Sequence, residues 1–298
     1  MKRKLLAVIL ALVAGVLAAG CGGGGGGGGG ALGKEITLGN IGWDENTVIA
    51  NMSKILLEED LEFDSVEIQQ ADLGPTFQGV ATGDIQAFQD VWLPNHREHM
   101  DEVRNRVEQL SVWYTDTTQF ALAAPAYMGI TSIEEIPSTG VDEITGIEPG
   151  AAVTNYIDDY TIPEYGLNMD QTNQATAAML AELDRRYTNQ EPIIFPAWKP
   201  HRMNNDYDLV YLDDPLDTWG PLNDPSEVTT IINNDLRDDY PDAVAFMDQI
   251  RLNEEQVVSI ERDIESGSSP EDAARNFIDN NRDVVQPWVD AGKAEQES

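Results

Sequence analysis

Residues 35–60 read EITLGNIGWDENTVIANMSKILLEED, and this stretch decides the fold class. Its first part places apolar side chains at Ile36 and Leu38 and then Ile41, the period of a strand, and runs on to Trp43. Its second part changes period: Val48, Met52, Ile55 and Leu56 recur at helical spacing, and Asp44 to Asn46 supply polar residues for the helix start. A strand leading straight into an amphipathic helix is half of a βαβ unit, and the order continues downstream. SVEIQQADL (65–73) predicts a second strand, GPTFQGVATGD (74–84) a short helix closed by Gly83, and IQAFQDVW (85–92) a third strand ending at Trp92. Strands alternating with helices predict an α/β protein with a mostly parallel sheet.

The pattern then repeats in kind without repeating in sequence. QFALAAPAYM (119–128) is apolar and extended, suited to a crossing between lobes. DEITGIEPGAAV (142–153) predicts a strand, a turn and a helix start, residues 171–189 a helix, and EPIIFPAW (191–198) a strand ending at Trp198. YDLVYL (207–212) is a candidate return crossing, and the segments at 241–250, 253–266 and 269–281 predict a helical tail. The expected architecture is two α/β lobes with two extended hinge crossings. Residues 34–122 would form the first lobe, 123–212 the second, and 213–298 would return to the first.

In open α/β sheets, ligands sit beyond the carboxyl ends of strands. Trp43, Trp92 and Trp198 each fall at the end of a predicted strand. Three indoles in matching places form the walls of a box, the recurring answer to binding a quaternary ammonium, which carries charge but no N–H to donate. FPAWKPHRM (195–203) puts His201 three residues past Trp198. EPGAAV puts the backbone amides of Ala152 and Val153 at a helix start, where free N–H groups and the helix dipole favour an anion. A cation box beside a carboxylate clamp describes a zwitterion. His96, four residues past Trp92, is a second candidate for the carboxylate. Trp113, Trp219, Trp288 and His99 read as packing or structural residues, and Asp44 and Glu45 as helix-start residues.

The chain carries 53 acidic and 18 basic residues, a formal net charge of −35. The acids are scattered, so they read as a hydrated, self-repelling shell suited to concentrated salt, and a basic face for nucleic acid is missing. The acidic pairs lack His or Cys at ligand spacing, which argues against a metal. No nucleophile elbow, zincin, P-loop or dinucleotide motif occurs, so an enzyme is not expected and no cofactor is implied.

The first 20 residues have a basic start, an apolar run and small residues before Cys21, the pattern of a secretory signal. Small residues followed by Cys resemble a bacterial lipobox, and that resemblance makes Cys21 the acylated first residue of the mature chain. Nine glycines (22–30) follow, a tether with a reach of about 15–20 Å in a span ending near residue 33. A lipid, a leash and a folded body predict a protein held at the extracytoplasmic face of a membrane.

Four segments, GNIGWDEN, DVWLPNH, TGIEPGAAV and AWKPHRMNNDYDLVYLDDP, closely resemble glycine betaine-binding proteins, the receptors of osmoprotectant ABC importers. The likeness runs from about Lys34 to the C-terminus. It implies a type II-like periplasmic-binding-protein fold, with Trp43, Trp92 and Trp198 caging the ammonium and His201 with the Ala152 and Val153 amides holding the carboxylate. It also implies an ABC permease and its ATPase as partners, glycine betaine or proline betaine as ligand, and a monomeric receptor. Receptors for choline or carnitine, and a structural lipoprotein, are the competing readings. The sequence departs from the family at Ala151, Ala152 and Ala197, where glycine is common, and at Arg202, where an aromatic is common.

Overall fold

The structure is a computed structural model, and it describes residues 33–298. The expected signal peptide, Cys21 and the glycine tether lie outside the described residues. Strands β1 (Glu35–Asn40), β2 (Ser65–Gln70), β3 (Ala87–Leu93) and β4 (Val107–Val112) belong to one sheet. Strands β5 (Gln119–Pro125), β6 (Glu143–Thr145), β7 (Asp170–Thr172), β8 (Phe195–Lys199) and β9 (Leu209–Tyr211) build the second lobe. The chain then returns to the first sheet as β10 (Glu227–Asn233).

The first sheet has the order β2-β1-β3-β10-β4. β1 pairs parallel with β2 and β3, whereas β10 runs antiparallel to β3 and β4. The sheet is therefore mixed rather than simply parallel, because one strand arrives from the far lobe. β3 is buried along almost its whole length, as a central strand covered on both faces must be. In the second lobe β5 lies between β8 and β9, and β6 pairs parallel with β7.

Several local expectations shift. β1 stops at Asn40, and the chain turns at Gly42, whose φ of 87° suits a residue without Cβ. Trp43 thus precedes the helix Asp44–Asp60 as its cap residue instead of ending the strand. YDLVYL contributes β9 to the second sheet and is not a crossing, since Ala124 pairs with Val210. The helix expected from 171 starts at Thr176, because residues 170–172 extend to pair with β6. A further helix, Arg282–Gln296, closes the chain and packs on the helix Pro241–Gln249. Among the described residues no helix is long and apolar enough to cross a membrane.

Candidate functional site

Trp43, Trp92 and Trp198 belong to one apolar cluster that spans both lobes, and their exposures are 6%, 1% and 1%. Trp43 sits at the start of the first long helix, Trp92 near the end of β3 and Trp198 in β8. The Trp43 and Trp198 rings lie 6.2 Å apart between centroids at 36°. That spacing is too short for a methylated nitrogen to be sandwiched between them, and it fits neighbouring walls of a box. Trp92 reaches the group indirectly. Its ring meets the edge of Phe120 at 6.4 Å and 83°, and Phe120 stacks flat on Trp198 at 5.6 Å and 8°. Phe120 therefore links two of the three indoles, a role its apolar strand did not announce.

Each indole N–H has a different fate. Trp92 donates to Asp90 Oδ1 at 2.7 Å, and Trp43 donates to Glu148 Oε2 at 3.2 Å. Trp198 Nε1 is buried without a partner. Glu148 also accepts from the backbone N–H and hydroxyl of Thr176, at 2.7 and 2.8 Å, so it caps one helix while orienting an indole of the opposite lobe.

His201 is fully buried, with its ring 5.0 Å from that of Trp198. Its Nδ1 accepts the Met203 N–H at 3.1 Å, which leaves the proton on Nε2. Nε2 lies 3.1 Å from Asp44 Oδ2 across the lobe seam, at an angle too poor for a well-directed hydrogen bond. Burial pushes the Asp44 carboxyl up, but His201 and Arg202 outweigh it and hold it below its ordinary value.

His96 packs 5.8 Å from Trp43, and its Nδ1 accepts the Trp92 N–H at 3.1 Å. Burial, with His99 adding to it, drives His96 down to about 3, so it is neutral at physiological pH. Ala152 and Val153 begin the helix Ala152–Tyr156, after a turn in which Gly150 takes φ 101°. Their N–H groups fall in the first turn, where a helix has no acceptor of its own. Ala152 also lines a cavity of about 430 Å³ between residues 94–99 of one lobe and 150–160 of the other.

The comparisons with known proteins bear on this geometry. Residues 34–280 match the family OpuAC, described as "Substrate binding domain of ABC-type glycine betaine transport system". The chain belongs to the OpuAC family.

Among curated relatives, the glycine betaine/carnitine transport binding protein GbuC of Listeria monocytogenes is 33% identical over 151 residues. That alignment covers 49% of this chain and 49% of GbuC, so the chain spans about half the length of the curated relative it matches. Among solved structures, lactococcal OpuAC, closed and complexed with glycine betaine, is 27% identical with a TM-score of 0.77, covering 86% of this chain and 99% of that one. ProX of Borrelia burgdorferi (24%, TM-score 0.78, 86% and 96% covered) and a choline-binding protein complexed with choline (23%, TM-score 0.77, 88% and 98% covered) share the two-lobed fold.

This OpuAC-family chain also carries features that its sequence did not disclose. Arg202 is nearly buried: Nη1 reaches Asp206, four residues on, at 3.0 Å, and Nη2 reaches across to Glu265 at 2.8 Å. The Arg202 N–H donates to Glu261 Oε2 at 2.7 Å. Glu45, Asp90 and Glu261 are buried carboxylates with unpartnered oxygens. The scattered acids of the sequence gave no sign that these three would lie inside with unpartnered oxygens. Among the described residues no group of three His, Cys, Asp or Glu is placed to hold a metal ion.

Proposed function

We propose that this protein is an extracytoplasmic receptor that captures glycine betaine, or proline betaine, and delivers it to an ABC permease with its ATPase. The observation that carries the reading is the approach of Trp43 of the first lobe to Trp198 of the second, 6.2 Å apart in a cluster that includes Trp92. Each indole face is worth about 0.5–2 kcal/mol toward a desolvated cation. Three of them supply roughly 1.5–6 kcal/mol, so a micromolar dissociation constant, which needs about 8 kcal/mol after ordering costs, requires the carboxylate clamp as well.

Trp43 and Trp92 wait on the first lobe, and the second brings Trp198, His201 and the Ala152 and Val153 amides. The ligand's nitrogen enters the indole cage, and its carboxylate takes the proton of His201 Nε2 and the two amides. Because the zwitterion touches both lobes, it favours the closed state, which the permease reads. His96 is the second candidate for the carboxylate: like His201, it has Nδ1 engaged by a backbone N–H, so Nε2 is its donor. Cys21 carries a lipid that holds the monomeric receptor at the outer face of the membrane.

The experiment is a titration in concentrated KCl with glycine betaine, proline betaine, choline and carnitine, following tryptophan emission. Glycine betaine should shift the emission, and Trp92→Ala should abolish the shift. His201→Ala should weaken glycine betaine by about 1.5–3 kcal/mol while scarcely changing choline, which has no carboxylate. No response to any of the four ligands would refute the reading.

A further inference from the structure

Behind the tryptophans lies a group of acids that a cage for a cation does not need as direct ligands. Asp90 precedes Trp92 by two residues on β3, so both side chains leave the same face of the strand. Glu45 is the second residue of the helix that Trp43 caps, and Glu261 comes from the helix Glu254–Glu265, which packs on it. Glu45 and Asp90 are fully buried and Glu261 is nearly so. Both oxygens of Glu45, Oδ2 of Asp90 and Oε1 of Glu261 have no hydrogen-bond partner, nor does Oε1 of the neighbouring, buried Gln89.

Three carboxylates so placed cannot all be ionised, because burial disfavours each charge and each raises the cost of the next. Burial, with Glu261 adding to it, pushes Asp90 up to about 7 against the opposing pull of the Trp92 N–H. Burial, with the charges of Asp90 and Glu261, raises Glu45 well above its ordinary value. Burial also lifts Glu261 to about 7, with His201 working against the rise and Asp44 with it. The other charged or titratable groups facing this cluster are Asp44 from the first long helix, His201 and Arg202 from the segment after β8, and Tyr114 from the segment after β4.

The cluster is joined to the cage by a short bond, Trp92 Nε1 to Asp90 Oδ1 at 2.7 Å, and to the closing lobe by the Arg202 N–H on Glu261. A full charge on Asp90, accepting the indole N–H, pushes electron density into the ring and makes its face more attractive to a cation. We propose that Glu45, Asp90 and Glu261 form a proton-exchanging charge store behind the cage, with Asp90 the positioning residue, so that capture of a quaternary ammonium expels a proton from the cluster. One carboxyl O–H breaks, its proton passes to bulk water, and the carboxylate left behind balances the ligand's nitrogen. Ligand binding and proton release are then one linked equilibrium. The inference rests on the betaine-receptor reading and adds a coupling to it.

The sign is definite. Groups that hold protons in the free receptor and lose them on binding make affinity rise with pH. His96 is silent in this range.

The test is calorimetric titration of the whole folded receptor with glycine betaine at pH 7, in phosphate and in Tris at equal KCl. The difference in heat gives the protons exchanged. Release of about 0.3–0.5 proton per ligand is expected, with affinity rising roughly three- to tenfold from pH 6 to pH 8. Asp90→Asn, which keeps an acceptor for the Trp92 N–H, should lower the proton count and flatten the pH profile. Glu261→Gln should do the same in part. The wild-type count is decisive even if a variant fails to fold. Binding without proton exchange, or with proton uptake, overturns the coupling and leaves the receptor reading standing. A complete absence of binding overturns both.

Discussion

His201 and Asp44 face each other across the seam between the lobes, Nε2 to Oδ2, at 3.1 Å. The imidazole is fully buried, whereas the carboxylate side chain is 33% exposed. Because Nδ1 is committed to the Met203 N–H, the proton of Nε2 is the one group His201 has to offer, and it has no well-directed acceptor although Asp44 of the opposite lobe lies close by. Under the proposed function a ligand's carboxylate replaces Asp44 at that proton.

Asp44→Asn tests this exchange. The pair is partly open to solvent, so its loss should cost the free protein only about 1 kcal/mol, or roughly 2–4 °C in melting temperature. The Asp44 carboxyl is held below its ordinary value, so its contribution is present above the usual carboxylate range and is lost as pH falls through the folded value. The variant and the wild type should therefore converge as pH falls below the usual carboxylate range. Glycine betaine affinity should hold or tighten slightly. A tenfold weaker complex would place Asp44 in the ligand clamp instead.

Phe120→Leu removes a flat ring from the back of Trp198 while keeping apolar volume. Stacking of this kind is worth about 0.5–1.5 kcal/mol beyond area burial, so affinity should fall roughly two- to tenfold and the Trp emission of the free protein should change. Equal affinity in the two proteins would mean that Trp198 holds its orientation without Phe120.

His96 bears on acid stability. It is neutral when folded, with a value of about 3, whereas an unfolded histidine takes a proton near pH 6.5. Its contribution is present above about pH 6.5 and is lost as pH falls below that value, at up to about 1.4 kcal/mol per pH unit. His96→Asn should reduce the slope of unfolding free energy between pH 6 and pH 4, whatever it does to the absolute value. Urea unfolding at several pH values measures the slope, and an unchanged slope would remove His96 from the acid response.

The buried acids act in the opposite direction. Asp90 and Glu261 have folded values raised to about 7, so the stabilisation they give by holding protons is complete below the ordinary carboxylate range and is lost as pH rises through 7. The double variant Asp90→Asn with Glu261→Gln should match the wild type near pH 4 and exceed it by about 1–3 kcal/mol at pH 8, where the wild type bears an uncompensated buried charge. The same urea series reads this, and a double variant less stable than the wild type at pH 8 would contradict it.

Much of this protein is legible in its sequence because the relevant signals are local. The change of period between Ile36 and Val48 announces a strand followed by a helix, and Gly83 marks a helix end that the structure closes in the left-handed region, at φ 82°. The motifs around Trp43, Trp92, Trp198 and His201 were enough to identify the family. β10 went unread because a short run such as VTTII carries no sign of which sheet it will join, and its antiparallel place between β3 and β4 depends on the return of the chain from the other lobe.

The sequence by itself determined most of the elements and the family, and it named the residues proposed for the cage, since these follow from periodicity and from motifs only a few residues long. Tertiary structure alone decided that Phe120 lies flat on Trp198, that Glu148 reaches Trp43 over 105 positions, and that Glu45, Asp90 and Glu261 are enclosed together among so many exposed acids. The reason is physical. Burial and through-space charge depend on what folds over a residue, and no spacing along the chain records that.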